Sequence, residues 1–302
     1  MENQRTGTSG SHQRIAPESV FNYEIDLPSI TEQKAVAAIL SALDDKIKLN
    51  NRINRNLEAQ AQAIFKSWFV DFEPFRDGEF VDSELGPIPK GWRVGTLGNL
   101  IDSTLGGDWG KDTPSGNYTE EVYCIRGADI PEISKGNQGK MPTRFILPKN
   151  LASKQLCVND IVIEISGGSP TQSTGRCALI PQPLLARYSK KMICTNFCRA
   201  IKPMDGYSIF IYYMWKYLYD QGVMFSYENG TTGIKNLDIN SFLANEEIVI
   251  PSKNILGQFD LNITAMQDMI FAMSLENEKL AALRDTLLPK LMSGEIRVPL
   301  EV

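Results

Sequence analysis

An internal repeat constrains the fold of this chain more than any other feature. Residues 7–65 align without a gap on residues 230–288, at a constant offset of 223, and 14 of the 59 pairs are identical. Each copy begins with a glycine- and hydroxyl-rich segment and then runs into a long stretch with helical periodicity. Identity this low can arise by chance, but the alignment also preserves the helical register. We therefore expect two equivalent long helices, separated by a region outside the repeat.

Both stretches place their seam residues at alternating spacings of three and four. The mean period of 3.5 residues is typical of a coiled-coil seam rather than of the wider stripe on a surface helix. A first helix over Gln33–Trp68 would be about 54 Å long at about 1.5 Å per residue. Each helix needs a partner, and the other helix is the obvious one. The predicted helix interface comprises Leu40, Leu43, Ile47, Asn54, Leu57, Ile64, Ile263, Met266, Ile270, Asn277, Leu280 and Leu287.

Two asparagines, Asn54 and Asn277, occupy equivalent seam positions. A buried asparagine costs stability, but it can fix the register of a coiled coil because its amide needs a matching partner. An antiparallel pairing would place these residues near a point of two-fold-like symmetry or would face them toward different neighbours. The sequence leaves both arrangements open.

The region between the helices, from about Leu85 to Ile250, has a different character. Short β-prone runs such as DIVIEISG, RCALIP and MICTNFCRAI alternate with segments rich in turn residues, and one amphipathic helix is expected at about Ser208–Gln221. In MICTNFCRAI, strand alternation would place Cys194 and Cys198 on one buried face. This pattern predicts an α+β domain of roughly 165 residues, large enough to bury its own core.

Residue usage argues against an enzyme. The only histidine is His12, so a His-based triad lacks its side chains, and a zinc site would have to come from cysteines and carboxylates alone. No GxGxxG, HExxH, GxSxG or paired CxxC motif occurs. Five scattered cysteines are typical of free thiols in a reducing compartment. We therefore expect a non-catalytic chain with no metal and no cofactor.

Two further features bear on location. The amino terminus is polar, and no apolar run approaches the roughly 20 residues of a membrane helix. From these features and the free thiols we expect a cytoplasmic protein that does not associate with a membrane.

Charge is distributed unevenly along the chain. The formal net charge is −5, yet residues 135–202 contain 11 Lys and Arg against two acidic residues. Two loops, Ser166–Arg176 and Gly230–Gly233 followed by Lys235, combine glycine amides and hydroxyls that could contact phosphates and base edges. The alternatives are a solvated surface for the charges and ordinary turns for the loops.

Several motifs, in their order along the chain, resemble the DNA-specificity subunits of type I restriction-modification systems. They are Pro28-Ser-Ile-Thr-Glu32-Gln33 at the start of the first helix, Leu85-Gly-Pro-Ile-Pro89-Lys-Gly91-Trp92 at the start of the central region, Gly127-Ala-Asp129-Ile130, Asp160-Ile-Val-Ile, Gly230-Thr-Thr-Gly233-Ile-Lys235 and Leu288-Pro-Lys-Leu-Met-Ser-Gly-Glu-Ile296. The second helix departs from the pattern, because Lys-Asn-Ile-Leu stands where Glu-Gln is expected. The resemblance covers nearly the whole chain.

The resemblance implies an α+β architecture with one globular target-recognition domain between two long antiparallel coiled-coil helices. It divides the chain into a remnant of a first recognition domain (1–27), a first conserved helix (28–80), a recognition domain (81–250), and a second conserved helix and tail (251–302). Only the last strand and loop of the first recognition domain would remain in this chain. That is the pattern of a half-subunit that dimerises or of the distal part of a split gene.

The function implied is sequence-specific reading of one part of a bipartite double-stranded DNA target. The implied partners are methyltransferase subunits, the restriction subunit that they recruit, and a second copy of this chain. The alternative is a coiled-coil structural or adaptor protein whose globular module binds protein. From the basic window, the loops and the resemblance together, the predicted DNA-binding residues are Arg126, Arg176, Lys190, Lys191, Thr231, Thr232 and Lys235.

Overall fold

The computed structural model describes residues 5–6, 14–15, 21, 27–169, 171–230 and 233–299. Its α-helices are α1 (Ile30–Phe69), α2 (Ile130–Ile133), α3 (Pro148–Lys154), α4 (Gln182–Ala186), α5 (Ser208–Asp220), α6 (Ile239–Asn245) and α7 (Lys253–Met292). Its strands are β1 (Arg5–Thr6), β2 (Arg14–Ile15), β3 (Phe80–Val81), β4 (Ile88–Pro89), β5 (Arg93–Thr96), β6 (Ile101–Gly106), β7 (Glu120–Ile125), β8 (Thr143–Ile146), β9 (Ile161–Glu164), β10 (Ser166–Gly167), β11 (Cys177–Leu179), β12 (Met192–Cys194), β13 (Cys198–Pro203), β14 (Glu228–Asn229), β15 (Lys235–Leu237) and β16 (Glu247–Ile250).

The two long helices reproduce the sequence repeat from end to end. Each has 40 residues, and both ends of α7 are the repeat equivalents of the corresponding ends of α1. Helix α1 begins three residues earlier than expected, because the Ser29 hydroxyl accepts a hydrogen bond from the Glu32 amide at 3.2 Å and so caps the first turn. The expected α+β architecture with two long antiparallel helices is confirmed.

The chain forms two compact units, each of which contains a part of both long helices. Unit 1 comprises residues 1–45 and 280–302, and unit 2 comprises residues 46–279. In unit 1, ion pairs join the helix ends: Arg284 contacts Asp44 at 2.7 Å, and Arg297, just beyond α7, contacts Glu32 at 2.8 Å. Unit 1 also contains the short antiparallel pair β1–β2.

The β1–β2 pair extends the repeat beyond the helices. Strand β14 is the repeat equivalent of β1, and β2 overlaps the equivalent of β15, which also pairs with β14 in antiparallel fashion. The two pairings differ in register by one residue. The amino-terminal part of the repeat therefore recurs in backbone structure as well as in sequence.

The globular module of unit 2 is built around two sheets. An antiparallel sheet in the order β11-β9-β13-β6 faces a mixed sheet in the order β12-β7-β8, in which β12 and β7 run parallel. Val162, Ala178 and Ala200 of the first sheet pack with Ile125 and Cys194 of the second. The module is thus a layered α+β domain with its own core.

The opposite face of the antiparallel sheet packs on α5 and on both long helices. Phe65 and Phe69 of α1 and Phe259 of α7 join a buried cluster with Phe210 of α5, and the Phe69 and Phe259 rings meet edge to face with centroids 4.9 Å apart. Helix α5 matches the amphipathic helix expected from sequence to within one residue. One core therefore holds the module to the helix pair within unit 2.

One strand prediction was wrong. The run MICTNFCRAI forms two strands, β12 and β13, rather than one, because the chain turns at Thr195 and the Cys198 amide donates to the Thr195 carbonyl at 2.9 Å. Both Cys194 and Cys198 are nevertheless buried.

None of the described helices combines the length and the apolar character needed to cross a membrane.

Candidate nucleic-acid interface

The predicted helix-interface residues line the seam of the helix pair. None of the twelve is exposed: Asn54, Ile263, Ile270 and Asn277 are buried and the others are half-buried. The prediction omitted three buried polar residues that share the seam, Asn50, Gln267 and Ser274. Asn50 stands in the heptad pattern itself, whereas nothing in the sequence singles out the other two.

The seam asparagines of unit 2 form a pseudo-symmetric set of hydrogen bonds. Asn54 Nδ2 donates to Ser274 Oγ at 3.0 Å, and Asn277 Nδ2 donates to Asn51 Oδ1 at 3.0 Å. Because Asn277 is the repeat equivalent of Asn54, and Ser274 that of Asn51, the two bonds are equivalent as well. The sequence left two arrangements open, and both describe the structure. The two asparagines lie near a pseudo-two-fold point, and they bond to different neighbours, Ser274 and Asn51, which are repeat-equivalent to each other.

The described parts of the two glycine- and hydroxyl-rich loops lie side by side. Strand β10 begins the first loop and pairs with β15, which ends the second, so that Ser166 opposes Asn236. Ser166 Oγ donates to Asn236 Oδ1 at 2.5 Å. Segments that are distant in sequence thus form one surface. Of the predicted contacts there, Thr231 and Thr232 lie outside the described residues.

Arg176, a predicted base-reading residue, is held by a buried carboxylate. Its Nε and Nη2 donate to the two oxygens of Glu164 at 2.7 and 2.6 Å, and this contact raises the pKa of the guanidinium. The arginine also lines a hollow of about 180 Å³ beside α5, together with Lys216 and Asp220. Glu164 itself is buried.

Gly127, at the start of the Gly-Ala-Asp segment, lies so close to Glu164 that a larger residue would displace its carboxylate. A Cβ atom there would overlap the Glu164 carboxylate, and one at Gly167 would lie 2.8 Å from Glu164 Oε1. Two glycine backbones therefore enclose the carboxylate that fixes Arg176.

Arg126, the other predicted base-reading residue, makes a similar pair with Asp129. Its Nε and Nη2 donate to the Asp129 carboxylate at 2.9 and 3.2 Å, and Nη2 also donates to the Lys140 carbonyl at 2.7 Å. Burial opposes ionisation of Asp129, but hydrogen bonds from Arg126 and from the Lys140 amide outweigh it, so that the pKa of Asp129 is lowered.

The predicted lysine contacts do not lie together. Lys235 pairs with Glu228 at 2.7 Å, beside the loops. Lys190 pairs with Glu121 at 2.7 Å, and the Lys191 carbonyl accepts the Tyr123 amide. Since β7 and β12 run parallel, Lys190 and Lys191 lie toward the start of β7, whereas Arg126 follows its end, roughly 13–17 Å farther along at about 3.3 Å per residue.

About half of the basic window is neutralised internally. Within residues 135–202, six of the 11 basic side chains form ion pairs with carboxylates. The five that have no carboxylate partner among the described residues are Lys140, Lys149, Lys154, Lys191 and Arg199. The positive potential is therefore smaller than the sequence count suggested, and these five carry it.

Several segments share the end of the module at which β6, β7, β9 and β12 finish. We call this surface the loop end and define it as residues 107–109, 126–129, 164–169, 171–176, 195–199, 228–230 and 233–236. The Asp108 amide donates to the Cys194 carbonyl, and the Thr195 amide donates to the Ile125 carbonyl, each at 2.9 Å, so these segments are in direct contact.

Two exposed aromatic residues of the loop end were not predicted. Trp109 is stacked on the buried Arg144 guanidinium at 4.1 Å from its ring centroid, and Phe197 is 54% exposed in the turn between β12 and β13. The sequence signal was present for Trp109, which stands in the turn-rich run LGGDWGKDTPSGN, but Phe197 was hidden in an apparent strand.

Four cysteines of the module, Cys124, Cys177, Cys194 and Cys198, are buried in its core, whereas Cys157 is exposed. Burial raises the pKa of both Cys124 and Cys198 to about 12, so that both thiols stay protonated at neutral pH and pack as small apolar groups. Within the described ranges, no three His, Cys, Asp or Glu side chains are grouped as metal ligands.

Comparisons with known proteins agree with this architecture. A family model described as the type I restriction modification DNA specificity domain matches residues 2–59. The type I restriction enzyme MjaIX specificity subunit of Methanocaldococcus jannaschii is 30% identical over 280 residues, which cover 91% of this chain and 61% of that protein. The HindI specificity subunit of Haemophilus influenzae is 27% identical, with 95% of this chain and 72% of that protein covered. This chain thus spans less than two thirds of the MjaIX subunit.

A solved structure shares the fold. The crystal structure of the type I restriction-modification system S subunit from M. genitalium superposes with a TM-score of 0.52 at 19% identity, over 96% of this chain and 68% of that one.

Proposed function

We propose that this chain, a member of the family of type I restriction-modification specificity subunits, reads one part of a two-part DNA target through the loop end of its module. Specificity subunits are the non-catalytic components of restriction-modification complexes. This agrees with the residue usage of the chain, which argued against an enzyme. The observation that carries the proposal is the β10–β15 pairing, which joins two distant glycine- and hydroxyl-rich loops into one surface.

The two arginines of the loop end differ in what they can offer a base. A guanidinium has five N–H donors, and a bidentate contact with guanine O6 and N7 needs two of them on neighbouring nitrogens. Among the described residues, Arg176 uses only Nε and one Nη2 hydrogen, both on Glu164, so its Nη1 and second Nη2 hydrogens have no partner there. Arg126 uses both Nη2 hydrogens. Arg176 is therefore the better candidate for a bidentate contact with guanine. Arg126 is a candidate only for a single contact with a base.

Phosphate contacts would come from basic side chains that have no carboxylate partner in the described parts of the chain. Lys191 is such a residue, whereas its neighbour Lys190 is paired with Glu121. Of the two predicted phosphate contacts, Lys191 would bind without giving up an internal ion pair. To bind a phosphate, Lys235 would have to break its ion pair with Glu228, whose carboxylate it helps to keep ionised.

The helix pair would act as the spacer between the two parts of the target and as the docking site for methyltransferase subunits, through which the restriction subunit is recruited. Its outer faces are exposed and carry polar residues together with apolar ones such as Leu261 and Met269. A coiled coil of fixed register holds its ends at a constant separation, which is what a two-part target requires.

The second part of the target would be read by a module supplied by another chain, in the simplest case a second copy. Leu27, in unit 1, is 73% exposed, whereas its repeat equivalent Ile250 is 2% exposed in unit 2, where it packs in the module core. Unit 1 thus presents apolar side chains at positions where unit 2 has a module. Light scattering should show a dimer of the free chain at micromolar concentration, and a strict monomer would contradict the homodimer.

The DNA-binding proposal is tested by salt dependence and competition. The chain, assembled with the methyltransferase subunits of its host, should retain some sequences from a randomised duplex library over others, and its affinity should fall steeply between about 50 and 200 mM salt. Lys191→Ala should reduce the slope of log affinity against log salt by about one. Lys190→Ala is the matched lysine control and should change the slope less, because the Lys190 ammonium is already paired with Glu121. A protein-binding adaptor would show neither sequence preference nor a steep slope, and that result would overturn the proposal.

A further inference from the structure

Phe197 is a large apolar side chain presented on a rigid turn. Its carbonyl accepts hydrogen bonds from the Ile165 amide at 2.9 Å and the Ser166 amide at 3.2 Å. On the other side, the Cys198 amide closes the turn onto the Thr195 carbonyl at 2.9 Å. Because its backbone is bonded on both sides, the turn presents the exposed Phe197 side chain at a defined position of the loop end.

The surroundings of Phe197 are polar and carry hydrogen-bonding groups of the kind that read base edges. Asn196 is exposed beside it, and Ser166, whose amide donates to Phe197, also bonds to the exposed Asn236. Arg126 follows Ile125, whose carbonyl accepts the Thr195 amide. The aromatic ring is thus an apolar group among donors and acceptors, which is the arrangement that recognition of a thymine edge requires, because thymine presents a methyl group beside an acceptor.

We propose that Phe197 contacts the C5-methyl group of a thymine in the major groove of the target, and so makes the chain prefer thymine at one position. This inference rests on the proposed function. Phe197 is 54% exposed, so part of its side chain is available for contact with the edge of a base.

The strand that follows Phe197 provides a matched control. Met204 directly follows the other end of β13, roughly 20 Å away at about 3.3 Å per residue, and is 43% exposed. Phe197→Ala and Met204→Ala remove similar exposed apolar groups from opposite ends of one strand. Because both side chains are exposed, neither substitution should change the unfolding midpoint by much, and Phe197→Leu keeps an apolar contact as a second variant.

The test compares thymine with uracil, which lacks only the methyl group. The full chain, assembled with its methyltransferase subunits, is first used to select its preferred duplexes from a random library, and each thymine of the preferred site is then replaced by uracil. At one position, uracil should weaken binding of the unmodified chain about fourfold, the equivalent of one buried methyl group. In Phe197→Ala the same replacement should have no effect, whereas Met204→Ala should behave like the unmodified chain and Phe197→Leu should retain part of the discrimination.

The outcomes separate the inference from the proposed function. If the unmodified chain selects specific duplexes but Phe197→Ala still discriminates thymine from uracil at every position, the Phe197 assignment is wrong while the DNA-reading function stands. If no replacement of thymine weakens binding, the assignment is also wrong. If the unmodified chain selects no sequence at all, the proposed function itself fails.

Discussion

Equivalent positions of the two long helices have opposite environments, although the repeat relates them residue by residue. Phe65 and Phe69 of α1 are each 2% exposed in unit 2, whereas their repeat equivalents in unit 1, Leu288 and Met292 of α7, are 43% and 67% exposed. The helical register is the same at both places. The difference shows that the heptad repeat determines where a helix forms and pairs, while the presence of a module determines which of its outer positions are buried.

The largest effect should come from removing a side chain at one of these unequal positions. Phe69→Ala should lower the free energy of unfolding by about 3–5 kcal/mol, because it opens a cavity in the shared core. Met292→Ala, at the equivalent position, should change it by no more than about 0.5 kcal/mol. Urea unfolding of the full chain measures both. Similar losses for the two variants would mean that burial does not distinguish the two units.

The seam asparagines should show the opposite behaviour, since there the two helices are equivalent. Asn54→Ala and Asn277→Ala should each cost about 1–3 kcal/mol, because each leaves polar groups of the partner helix without a bond. Exposed Asn262 of α7 serves as the control asparagine, and its replacement should be nearly neutral. If only one of the two seam variants were destabilised, the pseudo-two-fold description of the seam would be wrong.

A smaller effect should appear in the pH dependence of stability. Burial raises the pKa of Asp260 on α7 to about 6, and its repeat equivalent, Ala37, is exposed. The folded chain therefore holds this proton to higher pH than the unfolded chain, so the contribution of Asp260 to stability falls as pH rises from about 4 to 6 and stays low above that. Asp260→Asn should be more stable than the unmodified chain at pH 7 and nearly the same at pH 4. An equal gain at both pH values would contradict the assignment.

The smallest effect on stability is expected from lengthening both helices by one heptad. Seven residues inserted after Arg52 and seven after Leu275, which are repeat-equivalent, preserve the seam and add about 10 Å. The separation of the two target parts, read from methylated sites of the assembled complex, should grow by about three base pairs. An unchanged separation would show that the helices are not the spacer.

Sequence alone predicted the helices well because their signal is local and periodic. The repeat offset seen in the sequence relates both ends of α1 to those of α7, and the expected range of α1 missed its first turn, capped by Ser29, and its last residue, Phe69. The seam positions followed from the same period.

The loop end could not be predicted in the same way, because its contacts join residues far apart in the chain. Ser166 and Asn236 are 70 residues apart, and nothing near Arg176 in sequence shows that Glu164 would hold it. Phe197 was missed for a local reason, since alternation describes MICTNFCRAI as one strand, whereas the turn at Thr195 exposes the ring. Thus the count of basic residues was available from sequence, but their internal pairing was not.

The central claim, that the loop end reads DNA sequence, is tested most directly by selecting duplexes from a randomised library with Arg176→Ala, Lys191→Ala and the unmodified chain, each assembled with methyltransferase subunits. Arg176→Ala should lose its preference for guanine at one position, at a cost of roughly 1–3 kcal/mol there, while the other positions keep theirs. Lys191→Ala should select the same sequences with uniformly lower affinity. If Arg176→Ala also lowered affinity uniformly and left every sequence preference unchanged, the assignment of base reading to this arginine would be contradicted.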